Sequence, residues 1–289
     1  MTDLSDLSRP SGCLAMVAMD QRESLRTMLS EHTDGPVPDD DLVRFKLAVA
    51  RTAGQHASGF LIDRTYGFEQ VADERLLPDG CGLILAADAL RHDVAGGPVE
   101  ETRLDDAVDS AAARARGAVA LKLLVIWRRD ADRDARLAMS AEFVRRCSTA
   151  GLLSVLEGVV RPAPGEDFDE LLLEAARELG GLRPSLYKAQ VPRHGAGSTT
   201  ELGRVCERVT AAVPVPWVVL SQGVPLADFP GCVRIACRAG ASGFLAGRAI
   251  WSDTLADPSR LLRTRSVDRL RELGEIVDTF ARPWREAAA

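Results

Sequence analysis

The chain has 289 residues, of which 46% are hydrophobic and 27% charged, a composition typical of a soluble globular protein with a full core. Its formal net charge of −6 argues against nucleic acid or an anionic membrane as a partner. No apolar run approaches the roughly 18 residues that a membrane span needs. Residues 1–12 are polar and lack the layout of a signal peptide. We therefore expect a cytoplasmic protein.

Eight short apolar runs recur along the chain, and they are nearly continuous, as is typical of parallel strands covered on both faces. The runs are residues 13–20, 59–63, 81–88, 120–127, 152–160, 185–192, 216–223 and 242–250. Stretches with helical spacing lie between them, for example 105–117 and 168–181. We predict an α/β fold with one domain over 1–289, a single (β/α)8 TIM barrel. The alternative is an open doubly wound sheet, but no GxGxxG follows the first run, which disfavours its dinucleotide-binding version.

The cysteines form no CxxC pair and show no zinc-ligand spacing. We interpret them as buried free thiols in a reducing cytoplasm. They are Cys13, Cys81, Cys147, Cys206, Cys232 and Cys237. The sequence offers no case for a metal or another cofactor.

Lysine is rare in this chain, since only Lys46, Lys122 and Lys188 occur among 36 basic residues. Lys122 and Lys188 interrupt predicted buried strands. Arginine stays charged at any cellular pH, whereas a buried lysine can lose its proton and act as a nucleophile. The alternative is a lysine at a strand end whose ammonium reaches water. Because two such lysines occur in an arginine-rich chain, a catalytic role is the favoured interpretation.

Polar residues collect late in the predicted strands, where a barrel of this kind binds its ligands. They are Asp20, Asp63, Asp88, Glu157, Lys188, Ser221, Gln222 and Arg248. We interpret Asp63 and Asp88 as caps of the helices that follow. Glu157 has apolar neighbours on both sides and needs a partner, for which Lys122 and Lys188 are the candidates. Two lysines and a glutamate facing one pocket predict a Schiff-base enzyme.

Glycines follow the seventh and eighth predicted strands. Gly223 comes after the seventh, and Gly247 with Arg248 lies at the eighth. Barrels often bind phosphate with these two loops through backbone N–H groups, and an arginine adds donors. Turns also need glycine, so each position alone is a weak indication. Together they predict a phosphate site.

Five segments resemble the bacterial class I aldolases that include tagatose-bisphosphate aldolase and sulfofructosephosphate aldolase. They are MDQRESLRTML (19–29), LKLLVIWRRD (121–130), YKAQVP (187–192), LSQGV (220–224) and GASGFLAGRAIW (240–251). The resemblance runs in order through about residues 10–282. LKLLVIWR, EGVVRP (157–162) and SGFLAGRAIW are closer to the sulfofructosephosphate branch.

This resemblance implies a (β/α)8 barrel without a metal, in which a lysine forms an imine with a ketose phosphate. Residue by residue it gives the imine to Lys188 and places Lys122, Glu157 and Asp20 around it. It also implies that Gln21, Arg22 and Arg248 receive the anionic ends of the substrate. From their position at the seventh and eighth predicted strands, we expect Ser221, Gln222, Gly223 and Gly247 to bind substrate as well. Two positions depart from the family pattern, because Gly158 stands where proline is expected and Gln222 where a small residue is expected.

The expected reaction is cleavage of 6-deoxy-6-sulfofructose 1-phosphate to dihydroxyacetone phosphate and sulfolactaldehyde. The alternative substrate is tagatose or fructose bisphosphate. A rival from another class is a sugar-phosphate-binding regulator without turnover, which would be expected to lack a lysine or the glutamate. A metal-dependent aldolase would need clustered histidines, whereas His32, His56, His92 and His194 lie in or beside polar stretches. We expect a homo-oligomer, either a dimer or a tetramer.

Overall fold

A computed structural model describes residues 3–94 and 96–287, so residues 1, 2, 95, 288 and 289 of the predicted domain lie outside the described residues. Eight parallel strands form a closed barrel in the order β1-β10-β9-β8-β7-β6-β3-β2. They are β1 Leu14–Met19, β2 Gly59–Asp63, β3 Gly82–Ala86, β6 Ala118–Trp127, β7 Leu153–Val160, β8 Leu186–Gln190, β9 Trp217–Leu220 and β10 Gly243–Ala246. Because β1 pairs with both β10 and β2, the open-sheet alternative is excluded and the predicted TIM barrel is confirmed.

Helices lie between the strands and after the last one, and several begin at polar caps. Asp109 and Asp167 accept backbone N–H groups at two helix starts, and Ser198 with Glu201 forms a capping box. The helices are α1 Glu23–Ser30, α2 Asp39–Thr52, α3 Phe68–Asp73, α4 Ser110–Ala115, α5 Arg133–Ala150, α6 Phe168–Gly181, α7 Thr199–Ala212, α8 Phe229–Arg238, α9 Arg248–Trp251, α10 Pro258–Leu261, α11 Val267–Phe280 and α12 Trp284–Ala287. None of the described helices has the length and apolar character of a membrane span.

The lower interior of the barrel is apolar. Alternate residues of each strand point inward, and at the amino-terminal end these form one buried cluster with Leu4, Leu7 and Trp284. The strand members of this cluster are Leu14, Met16, Ala18, Leu61, Ile84, Ala86, Ala120, Val155, Leu186, Val218 and Leu245. This cluster fills one end of the barrel, so a ligand cavity can form only towards the other end.

A β-hairpin that the sequence reading missed follows β3. Its strands, β4 Asp88–His92 and β5 Val99–Leu104, pair antiparallel. Asp88 therefore begins a strand and is fully buried, so its interpretation as a helix cap is wrong. Asp63 is also buried, and it accepts the Tyr66 amide (2.9 Å) in the turn before α3, whose cap is Gly67. Both acids also form buried ion pairs with lysines.

All six cysteines are buried and free, as predicted.

Candidate active site

A cavity of about 350 Å³ opens at the carboxyl-terminal end of the barrel. Every predicted site residue except Gly223 lines it, although these residues come from six different strand ends. They are Asp20, Gln21, Arg22, Lys122, Glu157, Lys188, Ser221, Gln222, Gly247 and Arg248. Residues scattered along the sequence thus converge where a TIM barrel binds its ligand.

Strand register explains the convergence of the lysines and the glutamate. Glu157 of β7 is paired with Lys188 of β8. Lys122 of β6 is paired with Val155, two residues before Glu157 on β7. Because neighbouring positions in register face the same side of a sheet, all three side chains point into the barrel.

Lys122 is the centre of the buried charges. Its Nζ donates to Asp20 Oδ2 (2.8 Å) and Asp88 Oδ2 (3.0 Å), and it lies 2.8 Å from Glu157 Oε2. Burial lowers the pKa of Lys122, but the three carboxylates outweigh it and raise the pKa well above its ordinary value. Lys122 is therefore a fixed cation, and its ammonium holds three acids at one point.

Lys188 shares Glu157 with Lys122. Lys188 Nζ lies 3.0 Å from Glu157 Oε2, so one carboxylate oxygen stands between two amines. Burial raises the pKa of Asp20, but Lys122, Lys188 and Arg22 outweigh it and hold that pKa well below its ordinary value. The contact is an ion pair, because no donor of the described residues makes a hydrogen bond to Glu157 Oε2, and it places a carboxylate directly beside a buried amine.

The buried charges continue beyond the predicted residues. Arg22 Nη2 donates to Asp88 Oδ1 (3.1 Å), and its Nε lies 3.9 Å from Asp63 Oδ1. Lys46 of α2 pairs with Asp63 where both side chains are fully buried. A chain of seven alternating charges therefore runs from Lys46 to Lys188, and its members in order are Lys46, Asp63, Arg22, Asp88, Lys122, Glu157 and Lys188. Asp20 joins this chain as a branch at Lys122.

Gln21 and Arg248 lie at the rim of the cavity. No donor among residues 3–94 and 96–287 bonds to the buried Oε1 of Gln21. No carboxylate of the same residues forms an ion pair with the Arg248 guanidinium. Burial lowers the pKa of Arg248, while Asp20 and Glu157 raise it. An amide and a guanidinium that face a cavity in this way can bind polar and anionic groups of a ligand.

Gly223 lies beside the main cavity and lines a smaller one of about 140 Å³ with Ser221, Arg248 and Ser252. Its φ is +78°, and a Cβ here would lie 2.4 Å from His194 Nδ1. Glycine is thus required by the turn as well as suited to an anion. His194 Nδ1 lies 3.1 Å from the Gln222 carbonyl oxygen and so fixes the same loop.

Gly158 departs from the family pattern for a packing reason. A Cβ at this position would lie 2.4 Å from the Tyr187 hydroxyl oxygen. Tyr187 is fully buried on β8, and no residue of the described chain bonds to its hydroxyl. The ring therefore occupies the space that a larger residue 158 would need.

The hairpin and Arg161 complete the cavity wall, and the sequence reading assigned neither to the site. Leu90, His92, Pro98 and Val99 of the hairpin line the cavity, and Arg161 does so from the end of β7. Arg161 is one of many arginines in this chain, so composition gave no signal for it.

The family model and the named relatives identify an aldolase, a lyase that makes and breaks carbon–carbon bonds. The chain belongs to the DeoC/LacD aldolase family, whose model matches residues 14–253. It is 26% identical to the tagatose 1,6-diphosphate aldolase of Listeria monocytogenes, over 97% of this chain and 92% of that relative. The prediction of an aldolase is thereby confirmed.

Solved structures of other aldolases share the fold. A fructose-bisphosphate aldolase from Slackia heliotrinireducens superposes with a TM-score of 0.70 at 18% identity, covering 96% of this chain and 87% of that one. An archaeal fructose-1,6-bisphosphate aldolase, whose catalytic lysine is covalently bound to a carbinolamine intermediate, gives 0.66 at 17% identity, covering 95% and 98%. At these identities the likeness supports the barrel itself.

Proposed function

We propose that this aldolase cleaves a ketose phosphate through an imine on Lys188. The observation that carries the proposal is the 3.0 Å approach of Lys188 Nζ to Glu157 Oε2 inside the cavity. The amine is buried, and a carboxylate beside it can accept and return its proton. Lys122 has the opposite property, because three acids hold its proton and leave no electron pair for attack.

The reaction begins when neutral Lys188 attacks the C2 carbonyl of the ketose and forms a carbinolamine. Loss of water gives an iminium, whose positive nitrogen accepts the electrons of the C3–C4 bond. That bond breaks as a base takes the proton of the C4 hydroxyl, and the aldehyde half leaves. The remaining enamine gains a proton at C3, and water then releases dihydroxyacetone phosphate. We assign the C4 proton and the dehydration steps to Glu157.

Lys122 and Asp20 support this chemistry without forming the imine. The contact between Lys122 and Glu157 orients the carboxylate that lies beside Lys188. Asp20 holds Lys122 and accepts hydrogen bonds from substrate hydroxyls. Arg22, which the sequence reading gave to a substrate anion, is held by Asp88 and Asp63. We therefore assign Arg22 to the orientation of Asp88 and Lys122.

We assign the C1 phosphate to the loops after β9 and β10. Arg248 and Ser221 line both the main and the smaller cavity, and Gly223 and Gly247 lie beside them. Backbone N–H groups at such loops suit a phosphate. Gln222 adds an amide at this rim, and the free Oε1 of Gln21 can accept a substrate hydroxyl.

For the substrate we propose 6-deoxy-6-sulfofructose 1-phosphate, supported by the resemblance of residues 121–128, 157–162 and 242–251 to the sulfofructosephosphate branch. The alternative, tagatose or fructose bisphosphate, is supported by the names of the relatives. Both classes carry a tetrahedral oxyanion at each end, so selectivity depends on donor number and geometry.

The test is borohydride reduction with each ketose phosphate, followed by mass spectrometry of Lys188 and by kcat/KM measurement. We expect a reduced adduct on Lys188 with every cleaved substrate, and the highest kcat/KM for the sulfonated ketose. Higher values for a bisphosphate would select the alternative substrate. Trapping without cleavage would identify a binding regulator, and a wild-type enzyme that cleaves without an adduct would refute the imine.

We further propose that the enzyme acts in the cytoplasm as a homodimer or homotetramer. The six free buried thiols support a reducing compartment. Light scattering on the purified protein tests the oligomeric state.

A further inference from the structure

Arg161 lines the main cavity on the opposite side of strand β8 from Arg248. It directly follows β7, whereas Arg248 follows β10, and the barrel order places β8 and β9 between these strands. Lys188 on β8 therefore lies between the two arginines around the barrel. Both guanidinium groups belong to residues that line the same cavity.

The backbone of Arg161 is fixed, but its charge has no ion-pair partner within the described part of the chain. Its amide donates to the Trp127 carbonyl oxygen (2.9 Å), and Pro162 restricts Arg161 to an extended conformation. The acid that acts on it is Glu100 of β5, and Glu100 is paired with Arg128. No carboxylate of residues 3–94 and 96–287 forms an ion pair with Arg161. A partly buried cation without a partner is costly to the fold and suggests a ligand.

The hairpin brings a histidine to this side of the cavity. His92 Nδ1 lies 2.8 Å from the Gly97 carbonyl oxygen, which can only accept, so Nδ1 carries a proton. Nε2 of the neutral ring is then an acceptor, which suits a substrate hydroxyl. Leu90 and Val99 give the adjoining wall its apolar surface.

We propose that Arg161 binds the anionic group of the substrate half that leaves as the aldehyde, and that it determines specificity at that end. The inference rests on the proposed function, with the C1 phosphate at the Arg248 side and the far oxyanion at the Arg161 side. The far group is a tetrahedral oxyanion, either phosphate or sulfonate. A guanidinium can donate two parallel hydrogen bonds to a phosphate or to a sulfonate.

The test compares ketoses with two anionic ends and with one. For Arg161→Gln we expect kcat/KM on fructose 1,6-bisphosphate and on 6-deoxy-6-sulfofructose 1-phosphate to fall about 10- to 100-fold. Fructose 1-phosphate lacks the far anion, so its kcat/KM is expected to change by less than about 2-fold, which is the size of scatter between surface variants. Borohydride trapping of dihydroxyacetone phosphate on Lys188 is expected to stay at the wild-type level and shows that the variant is folded.

Arg129→Gln is the matched control, because it removes the same charge close to the end of β6. Arg129 is paired with Glu174 and Glu166 and does not line the cavity. We expect it to leave all the kinetic values unchanged, which separates local binding from the long-range effect of charge.

Two results would overturn the inference. An equal loss on one-anion and two-anion ketoses would make Arg161 structural or a ligand of the C1 phosphate, and no loss on either would remove it from the site. If the wild type forms no adduct with any ketose phosphate, the proposed function itself fails, and this outcome is distinct because it does not depend on Arg161.

Discussion

The two halves of the barrel interior are built on the same strands and differ completely in chemistry. In the lower half the inward residues of β7 and β8 are Val155 and Leu186, which belong to an apolar cluster. Two residues further along, the same strands carry Glu157 and Lys188. The inward direction is shared, so only the height along the barrel axis decides whether a position holds a hydrocarbon or a charge. A slip of one residue would turn both charges out towards the helices.

The apolar lower half stabilises the fold, and the charged upper half specifies the site. Burying the lower cluster is favourable and needs no partner. The fully buried charges of the upper half are matched by one another, because an isolated buried ion costs several kcal/mol. We therefore expect substitutions in the upper half to change chemistry and pH dependence, and substitutions in the lower half to change stability alone.

Lys188→Ala is expected to give the largest effect, a loss of kcat/KM of about 1000-fold or more, because the nucleophile is removed. Lys188→Arg keeps the charge but cannot lose the proton, so we expect it to be equally inactive. The measurement is cleavage of the preferred ketose phosphate, with thermal unfolding as a control for the fold. Activity of a few per cent or more in Lys188→Arg would contradict the imine.

Lys122→Met is expected to lower the free energy of unfolding by about 3–5 kcal/mol at pH 7, because three carboxylates lose their common cation. In the wild type the pKa of Asp20 is held below its ordinary value, so this stabilisation is present above about pH 4 and disappears as the pH falls further. The deficit of the variant should therefore shrink in acid. Urea unfolding at pH 7 and below pH 4 measures it, and a deficit independent of pH would count against the network.

Met16→Ala tests the lower half. Met16 is fully buried in the apolar cluster, so we expect a loss of about 2–4 kcal/mol in the free energy of unfolding. At 25 °C kcat/KM should stay within about 2-fold of wild type, since Met16 itself does not line the cavity. A large loss of activity in a folded Met16→Ala protein would show that the two halves are coupled more closely than the comparison implies.

Gly158→Ala tests the outer side of the strand that carries Glu157. The added Cβ meets the Tyr187 hydroxyl, and such overpacking costs about 1–3 kcal/mol. Tyr187→Phe removes a hydroxyl without a partner, so the double variant should recover most of the loss. Thermal unfolding of the two single variants and the double variant measures the coupling. Additive effects would refute this explanation of the glycine.

The sequence predicted the eight barrel strands because short, nearly continuous apolar runs that alternate with helical stretches are typical of parallel strands covered on both faces. The sequence did not predict the hairpin, because its strand β5 reads VEETRL, in which charged residues outnumber apolar ones. Its side chains are only partly buried. Asp63 and Asp88 were noticed but misassigned, since an acid after a strand looks the same whether it caps a helix or binds a buried cation. Lys46 could have been found, because the rarity of lysine that marked Lys122 and Lys188 applies equally to it.

All three lysines are described, and all are buried: Lys46 is 0% exposed, Lys122 1% and Lys188 4%. The outer surface therefore presents its positive charge mainly through arginine and offers no lysine amine. Reactive aldehydes, including a product of the proposed cleavage, have no lysine there to glycate. For the same reason, a small amine-directed probe that labels a lysine of the folded protein would report on the cavity instead of the surface.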